Sequence, residues 1–166
     1  MTASNAVLRV ADVRFSKLGQ LLSRFGLSLR LLEDDAPITG SFWGEPEAGI
    51  VGRSVYVRLD TPVHSLLHEA CHLICMDENR RAGLERDAGG DDLEEVAVCY
   101  LQIVLADYLP GVGRDRLMQD MDAWGYSFRL GSSRAWFESD AADARAWLVD
   151  HGLLTTAGTP AFALRE

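Results

Sequence analysis

Hydrophobic positions recur at helical spacing in five stretches of the chain and alternate in three more. In NAVLRVADVRFSKLGQLLSRFG, residues Val10, Val13, Leu18, Leu21, Leu22 and Phe25 share a face, which predicts an amphipathic helix closed at Gly26. LSLRLLE, ITGSFWGE and SVYVRLD alternate as strands do, and the turn-prone EPEAGIVGR separates the last two. Asp60-Thr61-Pro62 reads as a helix start, with a capping side chain and a proline near the first helical position. That helix runs from about Pro62 to Met76.

DENRRAGLERDAGGDD is polar and reads as an exposed connection, although Gly89-Gly90 and its charges would also suit a mobile cover over a cleft. LEEVAVCYLQIVLADYL is a strong helix that stops before Pro110-Gly111. GRDRLMQDMDAWG and SRAWFESDAADARAWLVDHG predict two more helices, the second ending at Gly152. The order is helix, small antiparallel sheet, then helices, which predicts an α+β fold. A single domain is expected over 1–166, with its core at about 5–152 and an irregular tail at 153–166. There is no internal repeat or low-complexity segment.

Composition narrows the function. The chain has 166 residues, 48% of them hydrophobic, and a formal charge of −9. With no basic block, a nucleic-acid partner is not expected. No apolar run reaches the roughly 18 residues that span a bilayer, and the N-terminus lacks the apolar stretch of a signal peptide. Three cysteines, two of them (Cys71 and Cys75) one helical turn apart, suit reduced thiols. The expectation is a cytoplasmic protein with no membrane partner.

The informative stretch is HSLLHEACHLICM, His64 to Met76. At about 100° per residue, Val63, Leu66, Leu67, Ala70 and Ile74 form the core stripe, and His64, His68 and His72 fall together on another side. His68 and His72 are an i, i+4 pair whose rings can project to one point. Two converging imidazoles suit Zn²⁺, which takes nitrogen ligands at about 2.0–2.1 Å. Glu69, beside the first of them, can take a proton from a zinc-activated water without binding the metal. His-Glu-X-X-His therefore supplies two ligands and a base. Chance occurrence on an amphipathic helix is the competing explanation, and a structural zinc site is usually closed by cysteines.

A third ligand is sought at the head of the next strong helix, DDLEEVAVCYLQ. Glu94 shares a face with Ala97, Val98, Leu101, Leu105 and Tyr108; Glu95 shares one with Cys99, Gln102 and Ala106. The second face is smaller and carries the mid-helix polar residue Gln102, so it reads as the less buried. A carboxylate heading an apolar face is costly unless neutralised, as a metal would do. This argument favours Glu94 and leaves Glu95 as the alternative ligand. Either acid also suits a helix's first turn without any metal.

With these residues in place, the chain resembles a zincin of the gluzincin type. EEVAVCYL, Glu94 to Leu101, is similar to the second-helix pattern Glu-x-x-Ala-(Asn/Asp)-x-Phe-Ala of the ImmA/IrrE-type peptidases, with Glu94, Ala97 and Tyr100 at the ligand, small and aromatic positions. The resemblance covers roughly 54–105. It implies a zincin-like fold, with the small sheet packed on the His-Glu-X-X-His helix and a second metal-ligand helix. It further implies His68, His72 and Glu94 as zinc ligands, Glu69 as general base, and hydrolysis of a peptide or protein substrate. SVYVRLD would be the strand whose edge pairs with the extended peptide. The sequence departs from the pattern at Val98, where the family has Asn or Asp, and at Leu101. The family's helix-turn-helix companion has no counterpart here.

Other residues are read more simply. His64 reads first as a polar residue on the helix's opening turn, with a place at the cleft rim or in support of the ligands, or as an alternative ligand, as the other readings. Cys71, Cys75 and Cys99 pack as small hydrophobes. Tyr126, His151, Arg129 and Arg134 are candidates for stabilising an oxyanion, with nothing to choose between them. Trp124, Trp136 and Trp147 read as core, and Asp120, Asp122, Asp140 and Asp143 as a solvated acidic face. A zincin-like module that binds metal or a partner without catalysis is the alternative function. A metal-free helical interaction protein is the third. Neither the deaminase signature nor the serine-hydrolase, phosphate-loop and dinucleotide fingerprints occur.

Overall fold

The computed structural model describes residues 7–41, 43–84 and 89–166. These form an α+β fold of seven helices and a small three-stranded sheet. The elements are α1 (Phe15–Ser23), β1 (Ser28–Leu31), β2 (Gly49–Val51), β3 (Ser54–Val57), α2 (Val63–Cys75), α3 (Glu78–Ala82), α4 (Asp92–Ala106), α5 (Gly113–Trp124), α6 (Ser133–Ser139) and α7 (Ala142–Asp150). Among the described residues, no helix is long and apolar enough to cross a membrane.

The sheet is mixed rather than antiparallel. Its order is β1-β3-β2, with β1 parallel and β2 antiparallel to β3. β2 and β3 form a tight hairpin through Gly52-Arg53, where Gly52 adopts φ +59°. Among the described residues of ITGSFWGE, which leave out Phe42, no strand forms, and β2 lies in the stretch read as a turn. The cause is local. Gly40 sits at φ +72°, and a Cβ there would lie 2.5 Å from the Ile50 carbonyl oxygen. The loop instead turns against β2, with the Ile50 amide donating to the Gly40 carbonyl at 3.1 Å. β3 is thus the central strand, paired on both sides, and offers no free edge to a peptide.

The N-terminal helix is shorter than its periodicity suggests. Arg9 bridges Pro62, and the amides of Val10 and Ala11 donate to the carbonyls of Thr61 and Leu59. Those tertiary bonds hold Val10–Asp12 in a single 3-10 turn, separate from α1. The last expected helix breaks into α6 and α7 at Asp140-Ala141. The polar connection contains α3, and its Arg81 is buried rather than exposed; residues 85–88 lie outside the described residues. The tail is irregular but docked: Leu153 and Leu154 are buried, and the Arg165 amide donates to the Ile74 carbonyl.

The core is one cluster in which α2 lies along α4, with the sheet and α1 on one side and α5–α7 on the other. α2 is buried along nearly its whole length. Pro62 is its N-cap rather than its first helical residue, and no side chain caps it; Thr61 Oγ1 accepts from the Arg58 amide instead. At the other end, the free carbonyls of Leu73 and Met76 accept from Arg81, and that of Cys75 accepts from Arg165. Two guanidinium groups therefore satisfy and electrostatically complement the C-terminus of the histidine helix.

Candidate metal centre

α2 presents His68 and His72 toward the first turn of α4, their ring centroids 4.8 Å apart and nearly perpendicular. The carboxylate between them belongs to Glu95. Its Oε1 lies 3.0 Å from His68 Nε2 and its Oε2 lies 3.1 Å from His72 Nε2. The expectation that Glu94 faces the histidines does not hold. Glu94 is buried on the other side of α4, gripped by Arg80 through both carboxylate oxygens at 2.7 and 2.8 Å and by Arg165 at 3.1 Å. Two arginines, not a metal, neutralise the Glu94 carboxylate.

Gln102 lies on the buried side of α4, not on an exposed one. This residue marks the face that packs on α2, and it is fully buried together with Ala106, with Cys99 nearly so. Its Nε2 donates to the His64 carbonyl at 2.8 Å, so its Oε1 is the acceptor for His68 Nδ1 at 3.0 Å. A proton is thereby fixed on His68 Nδ1, and Nε2 is the nitrogen turned toward Glu95. His72 has no such partner: among the described residues nothing hydrogen-bonds its buried Nδ1.

Glu69 is buried beside the pair. Its carboxylate and the ring nitrogens of His68 and His72 lie within 4.8 Å of one another. Burial raises its pKa, reinforced by Glu47 and Glu95, while His68 and His72 pull the other way. Burial also works against ionisation of Glu95, but the hydrogen bonds from both histidines outweigh it and hold that carboxyl well below the ordinary range. Cys99, one turn beyond Glu95 on α4, brings its sulfur within 4.8 Å of donor atoms of His68 and Glu95.

Tyr126 follows α5 and lines the same cleft. Its hydroxyl lies 3.1 Å from His64 Nδ1 and accepts from Gln102 Nε2 at 3.4 Å. His64 is buried, and its Nε2 has no partner among the described residues. An unpaired lone pair is cheaper to bury than an unpaired N–H, so His64 carries its proton on Nδ1 and donates it to Tyr126. The Tyr126 O–H is then free to donate into the cleft. Burial pushes its pKa up, which keeps the phenol protonated.

The other oxyanion candidates are elsewhere. His151 is stacked on Trp147, Arg129 pairs with Asp140, and Arg134 pairs with Asp115 and Glu138. Of the tryptophans read as core, Trp136 is buried, whereas Trp124 lines the cleft. Asp120 is not part of a solvated face: it is buried and binds the Leu8 amide and Arg116.

The imidazole, carboxylate and thiol donors gathered here are of the kinds that zinc takes. One ligand atom from each of His68, Glu69 and His72, and one from each of His68, Glu95 and Cys99, lie within 4.8 Å of one another, close enough to hold a metal ion. No protein-family model matches the chain, and neither a curated protein nor a solved structure matches it.

Proposed function

We propose that the chain is a zinc-dependent peptidase of the zincin kind, with His68, His72 and Glu95 as ligands and Glu69 as general base. The observation that carries this reading is the Glu95 carboxylate spanning both histidine Nε2 atoms, with Glu69 buried beside them. Zinc bound there supplies Lewis acidity, which polarises a carbonyl and lowers the pKa of water. Glu69, made more basic by burial, takes the proton of the attacking water and passes it to the leaving amine. The Tyr126 O–H donates to the oxygen on which negative charge develops. Gln102 holds the His68 ring through Nδ1. The test is hydrolysis of a peptide library before and after chelation, with zinc added back, for wild type and Glu69→Gln. Activity that needs zinc and disappears in a zinc-loaded Glu69→Gln protein supports the proposal; activity that survives either treatment contradicts it.

Cys99 supports a second reading. A thiolate from Cys99, whose sulfur is grouped with donor atoms of His68 and Glu95, would add a fourth protein ligand and make the centre structural, a metal-binding module without hydrolysis. Under that reading Cys99→Ala weakens zinc binding; under the peptidase reading it leaves zinc in place.

A further inference from the structure

One turn ahead of His68 on α2, His64 is almost wholly enclosed, at 1% exposure. A buried imidazole is costly unless its nitrogens are used. His64 uses one of them, and the ring is held so that it can. Trp124 walls it at 5.2 Å and the Tyr126 ring meets it edge-on at 5.3 Å, centroid to centroid. Trp124 is itself anchored, its indole N–H donating to Glu47 Oε1 at 2.7 Å. The backbone is anchored as well, because the His64 carbonyl accepts from Gln102 Nε2 at 2.8 Å.

Two nitrogens converge on the phenol oxygen of Tyr126. His64 Nδ1 stands 3.1 Å from it and Gln102 Nε2 stands 3.4 Å from it. His64 can donate there only in the tautomer that leaves Nε2 bare, and Nε2 is the nitrogen with no partner among the described residues. With both lone pairs of the phenol oxygen engaged, its own proton is turned away from both donors, toward the cleft that Tyr126 lines with His68 and Glu95. The opposite tautomer would draw the phenol proton back onto Nδ1 and bury an unpaired N–H. His64 and His68 lie one turn apart on α2, and Gln102 binds the carbonyl of the first and the Nδ1 of the second. The helix that presents a candidate ligand therefore also presents the group that aims the neighbouring hydroxyl.

We propose that His64 is a positioning residue, whose Nδ1–H holds the Tyr126 hydroxyl with its proton directed at the oxygen that becomes negative during hydrolysis. The catalytic use of that hydroxyl rests on the peptidase reading; the tautomer and the His64–Tyr126 bond do not.

The experiment has two arms. Long-range proton–nitrogen correlation NMR of the isotope-labelled wild type, with His64→Asn to assign the His64 signals, reads which ring nitrogen carries the proton at neutral pH. A protonated Nδ1 and a bare Nε2 are expected; a proton on Nε2 overturns the proposal. The second arm is kinetic, on zinc-loaded protein and the peptide selected from the library. Loss of an oxyanion donor costs about 10²–10³ in kcat, and loss of the group that aims it is expected to cost about 10- to 100-fold in His64→Leu, with KM and zinc content unchanged. His64→Asn places an amide N–H near the position of Nδ1 and is expected to recover most of that loss, whereas His64→Gln places its amide near Nε2 and is not. A kcat in His64→Leu equal to that of the wild type, or the same loss in His64→Asn as in His64→Leu, overturns the proposal. If His64→Leu does not fold, the comparison of His64→Asn with His64→Gln and the NMR arm still decide the question. A wild type that hydrolyses nothing overturns the peptidase reading and the catalytic use of the hydroxyl together, and the NMR arm tells this apart from a failure of the His64–Tyr126 bond.

Discussion

Gln102 on α4 accepts the Nδ1 proton of His68 on α2 at 3.0 Å while its own amide donates to the His64 carbonyl at 2.8 Å. The second bond fixes the direction of the first, so a buried amide sets which imidazole nitrogen meets Glu95. Gln102→Leu removes that constraint with little change in volume. It is expected to weaken zinc binding about 10- to 100-fold, as loss of such an orienting partner commonly does. It also leaves the His64 carbonyl without that bond, costing roughly 1–3 kcal/mol. Competition against a chelator and a denaturant titration measure the two effects separately. Unchanged zinc affinity would show that Gln102 orients nothing.

Glu94 is expected to matter for stability and not for metal. Its carboxylate is buried and holds Arg80 and Arg165, and Arg165 in turn caps the end of α2. Glu94→Ala leaves two guanidinium groups without their anion. Breaking a buried pair costs about 3–5 kcal/mol, and the partial exposure of Arg80 reduces this to roughly 2–3 kcal/mol. The midpoint of urea unfolding should fall accordingly, with zinc content unchanged.

His64 ties stability to pH. Burial, aided by the positive neighbours His68 and Arg9, lowers its pKa to about 3 from the ordinary 6.5. The unfolded chain binds the proton first as pH falls, so unfolding takes up a proton between pH 6.5 and 3. The contribution of neutral, buried His64 is whole above that window and is lost as pH falls through it. His64→Gln should flatten the fall in stability between pH 6 and 4 by up to about 1.4 kcal/mol per pH unit. The slopes of unfolding free energy against pH for the two proteins provide the check. Equal slopes would show that His64 titrates normally.

Much of the site could be read from the sequence because it lies on one helix. The i, i+4 spacing of His68 and His72, with Glu69 between them, survives any error in helix boundaries. The third carboxylate is less legible because α4 is buried on nearly every side, from Ala97 to Ala106. Periodicity cannot then separate its faces. Gln102 looked like a mark of exposure and is a mark of contact with α2. The arginines that bind Glu94 come from α3 and from the end of the chain, contacts with no local signature. The same holds for the sheet: Gly40 against Ile50 is a tertiary contact, and it moved the edge strand out of the segment that alternates.

Under the proposed function, Glu95 holds a zinc ion with His68 and His72. Elemental analysis of the purified wild type and of His68→Ala, Glu94→Ala and Glu95→Ala decides whether it does. About one zinc per chain is expected in the wild type and in Glu94→Ala, and loss of the ion in His68→Ala and Glu95→Ala. Zinc retained without Glu95 and lost without Glu94, or no zinc in any sample even after it is added, would contradict it.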